Sequence, residues 1–284
     1  MSASNTIKTV FLLGLLSAIL LFAGEALGGR QGLYIGLAIA VVMNFSSYFF
    51  SDKIALSMYA AQPVSETENP EVYRRVAPIV RGLCQRMGLP MPRLWLIPEE
   101  SPNAFATGRD PAHASVAFTA GILQLMDDRE IEGVVAHELG HVLHRDILTS
   151  SVAATIAAAI MFLSRMAFFF GGSRDEEDSG SGGMIGGVLM MILGPIAAVL
   201  IQMAISRTRE YSADAASAKY TGTPYELVSA LQKLETYSKR IPMEASPSTA
   251  HLFIIKPFTG QWFMQMFSTH PSTEDRIARL QAMR

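Results

Sequence analysis

A single cysteine, Cys84, stands among 284 residues. That excludes an internal disulfide framework and a metal site closed by four thiolates, and it fits a catalytic portion kept in a reducing compartment. Charge is scarce as well. Asp, Glu, Lys and Arg make up 17% of the chain and nearly cancel, at a formal −2. There is no basic surplus of the kind that a nucleic-acid partner demands. No internal repeat is visible. What the chain has in quantity is apolar surface: half its residues are hydrophobic and the mean hydropathy is +0.27. A soluble enzyme seldom carries so much, and the balance points to the lipid bilayer as a partner.

The apolar residues gather in four runs. Thr9 to Gly24 is charge-free between Lys8 and Glu25, and the polar flank from Ser4 lengthens it. A cleaved signal peptide has the same features, but a second run follows almost at once. Gln31 to Ser51 holds 21 residues without a charge, enough for a hydrocarbon core of ~30 Å. Tyr34, Tyr48, Phe49 and Phe50 lie near its ends, where aromatic rings favour the interface. Residues 1–52 therefore read as a transmembrane hairpin with spans at about 5–24 and 31–51. Residues 147–206 read as a second hairpin, with spans at about 147–168 and 184–206. Arg165 and Phe168 to Phe170 stand at the end of its first span, Pro195 is tolerable within the other, and a polar loop from Gly171 to Gly183 joins them. The acids of that loop lack the spacing of a calcium site. Of the 23 Lys and Arg, only Arg30 and Arg174, with Arg165 at the edge, fall on the side away from the termini. The excess of positive charge places both termini, and the two polar segments 53–146 and 207–284, in the cytoplasm.

In the first polar segment, Tyr73–Met87 reads as an amphipathic helix weakened or kinked by Pro78. Arg93–Ile97 and Ser115–Thr119 read as short strands. Between them Asn103-Ala104-Phe105-Ala106-Thr107-Gly108 suits a strand or a loop. In the second segment, helices are expected around Tyr211–Tyr220 and Tyr225–Tyr237. The expected fold is a mainly α membrane protein: four transmembrane helices and an α+β domain with a small sheet, assembled from two cytosolic segments.

The chemistry is concentrated in Asp127 to Asp146, DDREIEGVVAHELGHVLHRD. Asp127 and Glu130 form a capping-box pattern, and Ile131, Val134, Val135, Leu139 and Val142 follow at helical spacing. His137, Glu138 and His141 form H-E-x-x-H. On a helix the two imidazoles share a face and bind one metal ion, and Glu138 reaches a water beside it as general base. A catalytic zinc needs a third protein ligand. His144 lies three residues past His141, but three ligands on one unbroken helix do not converge. Glu210 is the better candidate. The second hairpin brings Arg207 back to the membrane level of Asp146, so Glu210 returns beside the motif, with Asp214 one turn on to accept the free N–H of a ligand histidine. No motif includes His113 or His251, which read as surface residues.

HELGH, the helix R-x-x-E-Y-x-A-D, the segment NAFATG, the four apolar runs and a terminal His-Pro-Ser with a later Arg together resemble the HtpX family. These are membrane zinc endopeptidases of bacterial heat shock, gluzincins related to the CaaX prenyl proteases. The resemblance covers nearly the whole chain. It implies a gluzincin-type metalloprotease domain in the bacterial inner membrane, with one zinc held by His137, His141 and Glu210 and with Glu138 as catalytic acid and base. It implies quality control of damaged or unfolded membrane proteins. It also implies that Asn103, Ala104, Phe105, Ala106 and Thr107 form a substrate-binding edge strand. His270 and Arg276 match the C-terminal motif of the family, and with Tyr211 they are the candidates for stabilising the oxyanion. A prenyl-protein protease and a non-catalytic zinc-binding scaffold are the competing readings. Native substrates and oligomeric state are not legible in the sequence.

Overall fold

The computed structural model describes residues 3–157, 160, 207–238, 254 and 271–283. The fourth expected span, the whole loop before it, residues 158–159 and 161–168 of the third expected span, His251 and His270 lie outside the described residues. In chain order the elements are α1 (Ala3–Phe49), α2 (Ser51–Ser57), β1 (Gln62–Val64), α3 (Pro70–Met87), β2 (Arg93–Ile97), β3 (Ala104–Gly108), a 3-10 turn (Pro111–His113), β4 (Ala114–Thr119), α4 (Ala120–Leu125), α5 (Asp128–Leu143), α6 (Ile147–Ala157), α7 (Arg207–Thr221), α8 (Tyr225–Ser238) and α9 (Thr273–Gln281).

Helix α1 reverses at Gly29, whose φ of 56° and ψ of −142° suit a residue without a side chain. Its two arms, Asn5–Phe22 and Gly28–Phe49, are each long and apolar enough to cross a bilayer. The arms meet backbone to backbone: a β-carbon on Gly24 would lie 2.3 Å from the carbonyl oxygen of Gly32. Without a hydrophobic drive in lipid, such close packing of small residues is what holds two spans together. Leu12, Leu16 and Leu20 of the first arm and Ala40 of the second pack against Val152, Ala153 and Ile156 of α6. A contact of 3.1 Å between the hydroxyls of Thr9 and Thr149 ties α6 to the first arm. The second arm begins three residues earlier than the sequence reading and its helix stops at Phe49, because Ser51 opens the separate helix α2.

The four strands form one sheet in the order β1-β2-β4-β3, with β2 and β4 parallel and the other two pairs antiparallel. The segment that suited strand or loop is thus strand β3, at an edge of this sheet. Strand β1 escapes sequence reading because it is three residues long and contains Pro63. Alternation along the strands builds two cores. Ala104, Ala106, Val116 and Phe118 face the larger one, with Val80 and Leu83 of α3, Val135 and Leu139 of α5, and Leu227 and Leu231 of α8. Phe105 and Ala117 face the other way, onto Leu56 and Tyr59 and onto Ala154 of α6. The apolar helix α6 therefore packs directly under the sheet. Helix α3 starts at Pro70, which suits a first turn, and runs through Pro78 to Met87 without ending there.

Candidate metal centre

The capping box read from the sequence is present at the start of α5. Asp127 Oδ1 accepts from the N–H groups of Arg129 and Glu130 at 2.9 Å each, and Glu130 Oε2 accepts from the N–H of Asp127 at 3.0 Å. Ser229 Oγ and Lys233 Nζ of α8 also donate to Glu130, at 2.6 and 2.7 Å, so α8 pins this end. Further along, α5 lies against α7. A β-carbon on Gly140 would come within 3.1 Å of Ala213 Cα and 3.2 Å of Ala216 Cβ. That close approach sets Glu210 of α7 opposite the two imidazoles.

His137 Nε2 and His141 Nε2 face each other at 3.3 Å. Glu210 Oε2 lies 3.7 Å from the first and Oε1 3.7 Å from the second. One ligand atom from each of the three residues falls within a group no more than 4.8 Å across. Ligand atoms around a tetrahedral ion at 2.0–2.1 Å stand about 3.3 Å apart. Two imidazoles and a carboxylate at these spacings fit a zinc-sized ion. His144 caps the C-terminal end of α5, is exposed, and does not belong to this group.

Each imidazole has its own support. Asp214 Oδ1 lies 2.9 Å from His137 Nδ1. Arg276 of α9, which is 2% exposed, grips the same carboxylate twice: Nη2 donates to Oδ1 at 2.6 Å and Nε to Oδ2 at 3.0 Å. Its Nη1 donates to the carbonyl of Ile254 at 2.9 Å, and the N–H of Ile254 donates to Asn103 Oδ1 at 3.1 Å. A continuous chain of contacts thus runs from the start of β3 to His137. His141 Nδ1 lies 3.3 Å from Asp146 Oδ1, at the junction of α5 and α6.

These surroundings drive the two histidines apart. Burial holds His137 below the usual imidazole range, and the Arg276 charge adds to that, against the pull of Asp214. Burial also works against a charged His141, but Asp146, then Glu210 and Glu138, outweigh it and raise its pKa to about 9. Burial pushes the Glu138 carboxyl up to about 8; His141 opposes this and Glu210 adds to it. Asp214 is buried too, yet Arg276, followed by His137, holds it below the usual carboxylate range.

Strand β3 meets this centre through its outer edge. The N–H of Thr119 donates to the carbonyl of Asn103, so the register turns the N–H groups of Ala104, Ala106 and Gly108 away from β4. Each meets a side-chain acceptor: Asn103 Oδ1 at 3.0 Å, Glu138 Oε2 at 2.9 Å and Ser151 Oγ of α6 at 3.4 Å. Thr107 Oγ1 contacts the same Ser151 hydroxyl at 2.7 Å. All five strand residues are buried, and Phe105 points into the lower core beside Tyr59. Asn103 is engaged in clamping β3 to Ile254. Tyr211 lies beneath the Arg279 guanidinium, 3.9 Å from ring centroid to Cζ. His113 is exposed, held between Asp110 and Arg109. Sequence reasoning missed Asp146 and Ser151. The first was discoverable as an acid five residues past His141; the second carries no signal, being one serine in an apolar run.

The family model for Peptidase family M48 matches residues 69–284. A Protease HtpX homolog from Desulforapulum autotrophicum is 53% identical over 279 residues, which are 97% of this chain and 89% of the relative. Another from Syntrophobacter fumaroxidans is 53% identical over 281 residues, 97% of this chain and 98% of that one. Among solved structures, S. mikatae Ste24p is 19% identical, with a TM-score of 0.50 over 97% of this chain. The match spans 65% of the Ste24p chain and speaks to fold alone.

Proposed function

The chain belongs to peptidase family M48, and from that premise we propose that it is a membrane zinc endopeptidase of the HtpX kind. Its expected substrates are misfolded or damaged membrane proteins, cut at the cytosolic face. The observation that carries this reading is the convergence of His137, His141 and Glu210 from two distant helices, with the buried Glu138 beside them. These three residues would hold the metal, which when bound supplies a Lewis acid that acidifies water and polarises a carbonyl. Glu138 takes the proton of the attacking water and delivers it to the leaving amine. Its raised pKa suits a group that must accept and then release a proton near neutrality. Asp214 keeps the His137 Nε2 lone pair aimed at the centre by holding Nδ1–H, and Arg276 keeps Asp214 in place. Arg276 is thereby committed, which leaves Tyr211 and His270 as donors to the oxyanion. An extended substrate at β3 takes over the N–H of Ala106, which frees Glu138 for the water.

Four spans, at about 5–24, 31–51, 147–168 and 184–206, would set the protein in the bacterial inner membrane with both termini cytoplasmic. The packing of Gly140 on Ala213 and the contact of Asp214 with His137 support one catalytic domain built from 53–146 and 207–284. Cysteines placed at Ser179 and Ser238 on a Cys84→Ala background test this topology. The first should react with an impermeant maleimide in intact spheroplasts and the second only after lysis; equal labelling would refute it. The chemistry is tested by Glu138→Gln in zinc-loaded protein. Zinc content should stay at the wild-type level while cleavage of an unfolded protein falls by about 10²–10⁴-fold. Undiminished cleavage would remove Glu138 from its role. Preference for a prenylated peptide over the unfolded protein would move the enzyme to the CaaX-type reading.

A further inference from the structure

The second arm of α1 ends at Phe49, where the sheet begins to pack on the membrane helices, and a cavity of about 190 Å³ opens there. Phe49 and Phe50 form its membrane side; Lys53, Arg93, Arg109 and His113 line the rest, with Asp52 as the one acid on its wall. The cations come from three places in the fold: the start of α2, the start of β2 and the turn after β3. Asp52 is 6% exposed and already bound to Arg93 Nη2 at 2.6 Å, while the Arg93 side chain, which lines the cavity, remains 51% exposed. Arg109 Nη2 contacts His113 Nε2 at 2.7 Å, and His113 Nδ1 contacts Asp110 at 2.7 Å. An arginine only donates, so in this contact Nε2 is the acceptor and Nδ1 faces the Asp110 carboxylate. The wall thus carries three positive charges against one negative, with Asp110, off the wall behind His113, also 3.4 Å from Arg109 Nε.

Two of the cations are held against aromatic rings at the end of the candidate span. The Arg109 guanidinium lies 5.3 Å from the centroid of Phe49, and the Lys53 ammonium 5.4 Å from that of Phe50. The rings of Phe45, Phe49 and Phe50 cluster at the end of the span, as interfacial aromatic residues do. Below them Val41, Val42 and Phe45 are 62%, 64% and 55% exposed, an apolar strip along the helix leading away from the cavity. A cationic recess above such a strip matches a phospholipid, charged at one end and apolar at the other. The volume is well below that of a drug-sized site and suits one headgroup. Basic pockets beside spans at the cytoplasmic side are where anionic headgroups bind.

We propose that this cavity binds the headgroup phosphate of an anionic phospholipid, whose chains lie along the exposed face of the second arm. The lipid then bridges α1 to β2 and to the turn after β3, so bilayer composition bears on how firmly the sheet is seated. The inference needs the hairpin to be in a membrane and is independent of the proteolytic chemistry.

The test uses zinc-loaded full-length protein in detergent, with lipid retention read by native mass spectrometry. Wild type should retain phosphatidylglycerol over phosphatidylcholine by about tenfold, and Lys53→Gln/Arg109→Gln should bring the two within about twofold of each other. Lys53→Gln alone, at an exposed residue, should fall between, and zinc content equal to wild type marks each variant as folded. Inorganic phosphate at equal concentration should not displace the bound lipid. Equal retention of both lipids by wild type, an unchanged preference in the folded double variant, or displacement by phosphate alone would each overturn the proposal.

Discussion

His137 and His141 stand one helical turn apart, and both turn Nε2 towards Glu210, yet different parts of the chain hold them. His137 is 1% exposed and leans on Asp214, which Arg276 grips from the C-terminal helix. His141 keeps 18% of its side chain exposed and leans on Asp146, where the motif helix gives way to α6. One support is a dry, two-pronged ion pair; the other is longer and closer to solvent. The difference is one of range. His137 depends on the C-terminal helix reaching Asp214, whereas Asp146 meets His141 through the turn that ends α5, where its N–H donates to the His141 carbonyl at 3.2 Å.

The largest effect is expected where both sides meet. Glu210→Ala removes the one carboxylate that faces both imidazoles, so zinc affinity should fall by more than the ~100-fold upper range of indirect supports. Atomic absorption after dialysis against a weak chelator reads this directly, and a zinc-replete variant would show that another group completes the site. Next comes the His137 side. Arg276→Met leaves the Asp214 charge buried without its partner, a loss of about 3–5 kcal/mol, with zinc affinity down about 10–100-fold. The double variant Arg276→Met/Asp214→Asn removes both charges and should recover part of the stability but not the affinity. If the two defects recovered together, Arg276 would act only through folding. The smallest effect belongs to the His141 side. Asp146→Asn should cost less zinc affinity than Arg276→Met, because its contact is 3.3 Å and the imidazole stays partly solvated. His144→Ala is the control and should leave zinc content at the wild-type level. In all of these, Cys84 distinguishes local from global damage. Its thiol is 4% exposed, and burial raises its pKa to about 11, so alkylation at neutral pH should stay slow in every folded variant and become fast in urea.

Several elements were legible because local rules set them. The capping box at Asp127, the spacing that puts His137 and His141 on one face, and the apolar run from Gln31 need only short-range periodicity. Gly29 as the reversal point was not singled out, since Gly24, Gly28, Gly29 and Gly32 stand so close together that only the packed hairpin shows which one carries the turn. Strand β3 is legible as an apolar segment but not as a strand, because Ala104, Ala106 and Gly108 have little strand preference of their own. Pairing with β4 and the acceptors on its outer edge supply what the side chains do not.

By itself the sequence determined the reaction type that the motif helix can serve and the arms that can cross a membrane, because both are written in spacings within one element. The hairpin argument extended that reading to Glu210 and Asp214, but only the tertiary structure decided what Glu138, His141 and Arg276 face. Glu210 stands 69 residues from His141 in the chain and 3.7 Å from it in space, and Arg276, by sequence a candidate oxyanion donor, is buried on Asp214. Partners that far apart in sequence carry no local pattern. Their environment is set by which helices pack close enough to exclude water, as α5 and α7 do at Gly140.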